Sequence, residues 1–186
     1  AHYPAEYLCA LINSQPMGFY RIDFLINEAK RNSDVNVLPV HPLKSEWDAI
    51  MEGHKTVRMG FRNIGKIRKE DVDELILERK KKPFQSVEDF IARTNFDKAV
   101  LNNLTMANTF ECYGIDRRHS FWKSLAFKNL VIQGSSSVQL SLFDENLRID
   151  SEELFDKMTE LEEAIIDYRT IGYSLKGSLM KQLRLE

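Results

Sequence analysis

Residues 64–82 read IGKIRKEDVDELILERKKK. Val72, Leu75 and Ile76 fall at the i, i+3, i+4 spacing of one helix face. Glu78-Arg79-Lys80-Lys81-Lys82 closes that helix with positive charge at the negative end of its dipole, and Pro83 stops it. Gly65-Lys66-Ile67-Arg68-Lys69 before it is the turn of a compact hairpin. The pattern then repeats once. Ser86 caps a helix, with Asp89 three residues on as a shortened capping box, and Asp97–Leu104 and Asp116–Leu125 form a second helical pair around Asn108-Thr109-Phe110. A tandem of small helical hairpins is expected.

Working outward, Pro4–Ser14 places Tyr7, Leu8, Leu11 and Ile12 at helical spacing, with Pro4 at its start. Gln15-Pro16-Met17-Gly18 breaks it, and a second helix covers Asp23–Lys30. Val35–Leu38 alternates as a short strand ended by Pro39 and Pro42, and Val57–Phe61 alternates again as its partner. Downstream, Gln133-Gly134-Ser135-Ser136-Ser137 is linker-like. Leu154, Met158, Leu161, Ile165 and Tyr168 then line one face of a helix that Asp150 or Ser151 caps and Gly172 ends, and Ser178–Arg184 forms a last turn or two. The expected fold is mainly α with a small β element. The divisions are 1–54, 55–130, 131–150 and 151–186.

The chain has 186 residues, 26 Lys and Arg against 28 Asp and Glu, and a net charge of -2. The average hides a pattern. Residues 55–82 hold 10 basic and 5 acidic side chains, whereas 144–167 hold 2 and 10. One segment suits phosphate and the other repels it. No apolar run approaches the about 20 residues of a membrane span. Cys9 and Cys112 fit neither a disulfide framework nor a metal spacing, so a reducing cytoplasm is expected. The opening Ala1-His2-Tyr3-Pro4 carries no leader and reads as a chain entered in mid-stream.

Catalytic constellations are missing from this pattern. Glu152-Glu153 and Glu162-Glu163 are adjacent, so on a helix each pair splays by about 100 degrees and holds no shared metal or proton. His2, His41, His54 and His119 have no partner at metal-ligand spacing. The basic turn at 60–69 is the stronger lead, because a tight turn aims backbone N–H groups at one phosphate while flanking cations add charge. Composition is equally satisfied by a solvated helix end.

Specific motifs appear in order along the chain: Gln15-Pro16-Met17-Gly18-Phe19-Tyr20, Ser45-Glu46-Trp47-Asp48, Val57-Arg58-Met59-Gly60-Phe61-Arg62, Pro83–Phe90, Gly114-Ile115-Asp116-Arg117-Arg118, and Asp167-Tyr168-Arg169-Thr170-Ile171-Gly172-Tyr173-Ser174-Leu175. Together they resemble the bacterial family C DNA polymerases, the family of the replicative polymerase III alpha subunit. Within it they are most similar to the error-prone, damage-tolerant branch. The resemblance implies a fragment running from the end of the fingers through a tandem helix-hairpin-helix domain, followed by a linker and a C-terminal helix that leads to an absent OB-fold. It also implies that the Mg2+-binding aspartates of two-metal nucleotidyl transfer lie upstream of Ala1, with no cofactor in this fragment.

The resemblance implies double-stranded DNA as partner, through Arg62, Gly65, Lys66, Arg68 and Lys69 at the first hairpin and Asn108, Arg117 and Arg118 at the second. Gln139-Leu140-Ser141-Leu142-Phe143 looks like a peptide that holds the bacterial sliding clamp, with accessory mutagenesis proteins as further partners. The family's hairpin glycines would fall near Lys66 and Arg68, and Asn108 stands where glycine is common in the second hairpin. Those turns need positive φ, which Asn tolerates and Lys adopts at a cost. Ser178-Leu179 also replaces the His-Pro pair usual in the family. Within the family the alternative is a fragment of a replicative polymerase III alpha subunit, and two other classes compete: an interaction scaffold with degenerate hairpins that docks polymerase accessory proteins through the acidic helix, and, with less support, an autonomous helix-hairpin-helix nuclease.

Overall fold

The computed structural model describes residues 2–132 and 158–175, with side chains in 2–124 and 158–175. It is mainly helical with one small sheet, as the spacing predicts. Helix α1 (Pro4–Asn13) has Pro4 in its first turn and buries Ala5, Leu8, Cys9 and Ile12. Helix α2 (Ile22–Ser33) buries Leu25 and Ile26 and ends where Asp34 turns left-handed at φ 52. The two helices pack against each other, α1 on the central strand of the sheet and α2 beside its first strand.

Strands β1 (Asn36–Leu38), β2 (Ile50–Gly53) and β3 (Thr56–Arg58) lie in the order β1-β3-β2. The expected pairing of β1 with β3 is present and parallel, Val37 opposite Val57. β2 joins β3 antiparallel through the turn at His54-Lys55. Sequence reading omits β2 because no two-residue alternation marks it; Met51, Glu52 and Gly53 are all exposed. Glu52 instead fixes this edge by charge. Its carboxylate takes Arg58 on one oxygen and the Lys44 ammonium at 2.8 Å on the other, which lowers its pKa to about 2. The contribution is fully present above the unfolded carboxylate range and is lost as pH falls through about 2.

A backbone crossing joins the sheet to the helical hairpins. Phe61 N–H donates to the Glu46 carbonyl at 2.9 Å and Arg62 N–H to the Trp47 carbonyl at 3.0 Å. Ser45 Oγ donates to the Met59 carbonyl at 2.8 Å. A Cβ at Gly60 would overlap the Trp47 and Asp48 carbonyl groups, so only glycine permits the approach.

Beyond the crossing, a short 3₁₀ turn (Phe61–Asn63) leads to α3 (Lys69–Lys81), α4 (Val87–Arg93), α5 (Lys98–Met106), a second 3₁₀ turn (Glu111–Tyr113) and α6 (Arg117–Ile132). Ser86 caps α4 by accepting from Asp89 N–H at 3.1 Å, and Asp89 answers by accepting from Gln85 N–H at 3.0 Å. Phe90 anchors α4, its ring centre 5.0 Å from Phe84, 5.1 Å from Phe110 and 5.8 Å from Phe96. Arg79, read from sequence as part of a basic helix end, donates from α3 to the Ser45 carbonyl at 2.5 Å.

Helix α7 (Glu160–Thr170) is capped by Thr159, with Glu162 completing a capping box. The helix expected to run from Asp150 or Ser151 through Tyr168 does not include Met158 and Thr159, because Thr159 caps a helix that starts at Glu160, while Asp150, Ser151 and the expected turn at Ser178–Arg184 lie outside the described residues. Asp167 is buried and accepts from Arg117 Nη2 at 2.7 Å and from Ser174 Oγ at 2.8 Å. Burial pushes its carboxyl up while Arg117 pulls it back toward the charged form. The Arg117 guanidinium is itself buried and also donates to the Glu163 carbonyl at 3.2 Å. Tyr173 is buried beside this pair, and Lys30 Nζ of α2 donates to the Leu175 carbonyl at 2.7 Å. Residues 158–175 thus latch onto both α2 and the start of α6.

Gly60→Ala is expected to destabilise the chain by about 2 kcal/mol or more, read as a lower urea midpoint, because backbone must move to admit one carbon. Asp167→Ala should cost about 3 kcal/mol by leaving Arg117 buried without its counter-ion. Replacing both partners together, Arg117→Met with Asp167→Leu, should recover most of that loss in the same measurement.

Candidate nucleic-acid interface

The first hairpin is built by burying Ile64 and Ile67 on either side of the turn, which forces the residues between them outward. Gly65, Lys66, Arg68 and Lys69 are exposed. Lys66, at φ 67, takes the left-handed position, whereas Gly65 does not and Arg68 is extended at φ -105. Of the two places where the family pattern has glycine, only Lys66 adopts the strained conformation. The turn is fixed from outside by Asn103 of α5, whose Nδ2 donates to the Gly65 carbonyl at 2.7 Å. Among the described residues, no backbone carbonyl accepts from the N–H groups of Gly65, Lys66 or Arg68. Lys66 and Lys69 form no ion pair among the described residues, while Arg68 chelates Asp71 through Nε at 2.9 Å and Nη2 at 2.7 Å.

The second hairpin has the same left-handed residue, Asn108 at φ 58, and different chemistry. Asn108 N–H donates to the Thr105 carbonyl at 3.0 Å and Thr109 N–H to the Leu104 carbonyl at 3.1 Å, closing the end of α5. Asn108 Nδ2 is held by Glu111 at 2.8 Å. Arg118 faces Glu162 of α7 at 3.7 Å. The acidic helix α7, whose composition repels phosphate, pairs with both arginines at the start of α6.

Two expected phosphate contacts are therefore corrected. Arg117 is 4% exposed and engaged by Asp167. Arg62 donates through Nη1 to the Asn13 carbonyl and to Asp48, each at 2.7 Å, and through Nη2 to the Gln15 carbonyl at 3.0 Å. It joins the first hairpin to the loop between α1 and α2. Both side chains are arginines in basic surroundings, and sequence alone does not separate a cation aimed at phosphate from one collecting internal carbonyls. Sequence reading misses Asn103, because an amide within a helix carries no signal of a partner 38 residues away. Gln139–Phe143 lie outside the described residues.

The arrangement suits holding a polyanion. Among the described residues no three His, Cys, Asp or Glu side chains gather as metal ligands, and no helix is long and apolar enough to cross a membrane.

Comparison with known proteins agrees with the geometry. Residues 34–120 match the helix-hairpin-helix motif family. Over 98% of its length the chain is 32% identical to an error-prone DNA polymerase of Brucella melitensis, of which it covers 17%. It is 32% identical to error-prone DNA polymerase 1 of Rhizobium meliloti and 31% identical to an error-prone DNA polymerase of Dechloromonas aromatica, covering 18% and 17% of those proteins. Over nearly its whole length the chain is thus similar to a segment that makes up about one-sixth of error-prone DNA polymerases, with the helix-hairpin-helix match at its centre.

Proposed function

We propose that this chain is the duplex-holding segment of a bacterial DNA-directed DNA polymerase of the damage-tolerant type, working in the cytoplasm, and that the first hairpin makes the hold. The observation that carries the reading is the contrast between the hairpins. Lys66, Lys69 and the turn N–H groups have no partner ion or carbonyl among the described residues, whereas Arg117 and Arg118 are engaged by α7. A phosphate beside Lys66 meets an ammonium, the outward N–H groups of Gly65 and Lys66, and the positive end of α3. Such contacts position a duplex without reading its sequence. Arg68 contributes less, because binding phosphate costs it Asp71.

Nucleotidyl transfer by two Mg2+ ions belongs, in this reading, to other segments of the parent polymerase. Gln139–Phe143 docks the sliding clamp: the glutamine amide makes directional hydrogen bonds while Leu142 and Phe143 fill an apolar pocket, with the Ser-rich stretch before it as a tether. The scaffold reading has less support, since two carboxylates of α7 are already engaged, Asp167 by Arg117 and Glu162 by both Arg118 and the helix cap.

Charge reversal at Lys66→Glu with Lys69→Glu should weaken binding of any duplex sequence at low salt and lower the slope of log affinity against log salt by about two. Unchanged affinity in a fluorescence-anisotropy titration would refute the first hairpin as the grip. Leu142→Ala with Phe143→Ala should abolish capture by an immobilised bacterial sliding clamp, and retained capture would remove Gln139–Phe143 from the account.

A further inference from the structure

Five large apolar side chains are more than half exposed within residues 2–35, namely Tyr3, Tyr7, Phe19, Tyr20 and Phe24, and every one is aromatic. Here only rings are offered. Phe19 is the extreme, 95% exposed. Tyr20 and Phe24 lie nearly parallel, 22° apart with centres 5.7 Å apart. The side chain of Arg21, between them in sequence, is largely exposed and pairs through Nε with Asp23 at 3.3 Å.

The loop that carries Phe19 and Tyr20 is braced. Gln15 Nε2 donates to the Tyr20 carbonyl at 3.0 Å, and Gln15 Oε1 accepts from Met17 N–H at 3.1 Å. Its base is fixed to the first hairpin, because Arg62 holds the Asn13 and Gln15 carbonyls. Arg62 stands four residues before Lys66. The aromatic surface is thus tied, through one side chain, to the element proposed to hold duplex phosphates.

We infer that Phe19, Tyr20 and Phe24 form a stacking platform for unpaired bases where the duplex held by the first hairpin opens into single strand. Rings stack on any base, so the platform tolerates sequence. The inference rests on the duplex reading for its location and stands apart from it in its test.

The test uses the chain as it is, with fluorescein-labelled DNA followed by anisotropy: one blunt duplex and the same duplex with a thymidine overhang of about six nucleotides, within the reach of one such site. The overhang is expected to tighten binding roughly ten-fold, the effect of stacking about one base. Phe19→Ala with Tyr20→Ala should erase that difference and leave blunt-duplex affinity as it was, while Phe19→Trp keeps it. Both residues are exposed, so the variants should fold, which an unchanged urea midpoint verifies. Equal binding of the two DNAs by the parent chain overturns the inference. So does an overhang preference that survives Phe19→Ala with Tyr20→Ala, including the case in which those changes alter only self-association in sedimentation. Lys66→Glu with Lys69→Glu separates the two readings: if blunt-duplex affinity withstands it while the aromatic substitutions still erase the preference, the platform stands and the hairpin grip falls.

Discussion

The structure depends on two backbone segments passing at van der Waals distance, residues 45–48 against 59–62, with Gly60 at the crossing. Two hydrogen bonds from Phe61 and Arg62 and one from Ser45 close it. The crossing ends the sheet and starts the first hairpin within four residues. It also aims Arg62 back at α1, so the N-terminal helices, the sheet and the hairpin share one frame. A side chain at position 60 would separate them. The apolar core runs from Ala5 to Phe110 and on to Tyr173, so these parts are not independently packed.

On that frame the two hairpins have similar turn geometry and opposite electrostatics. Each has a non-glycine residue in the left-handed region, Lys66 in one and Asn108 in the other. In the first, Arg68 is paired with Asp71 while Lys66 and Lys69 form no ion pair among the described residues, and the turn is tied down by a neutral amide, Asn103. The second is occupied by its own protein: α7 supplies Asp167 and Glu162, and Glu111 holds Asn108. The near-zero net charge therefore has an internal cause. Acidic and basic segments that are far apart in the sequence are in part bonded to each other, while Lys66 and Lys69 are among the exposed cations that form no ion pair among the described residues.

Local chemistry is legible in the sequence. Pro4, Ser86 and Pro83 mark helix ends because their effects act within a few residues, and β1 and β3 are visible by alternation. Asn108 in a left-handed turn accords with what its short amide tolerates. The hidden part is long-range. Nothing within reach of Arg117 in sequence announces Asp167, and nothing near Arg62 announces the Asn13 and Gln15 carbonyls. Strand β2 lacks alternation because its side chains are mostly exposed at an edge. The motifs that mark the resemblance become intelligible in three dimensions: Ser45–Asp48 meets Met59–Arg62, and Asp167 accepts from both Arg117 and Ser174.

The central claim is that duplex DNA is held at the first hairpin and not at the second. Backbone amide resonances of the ¹⁵N-labelled chain, followed while a short duplex is added at low salt, test it residue by residue. The account predicts that the largest shifts fall on Gly65, Lys66, Arg68 and Lys69, with Asn108, Arg117, Arg118 and Asp167 nearly unmoved. Shifts centred on Asn108 to Arg118, with 65–69 silent, would contradict it.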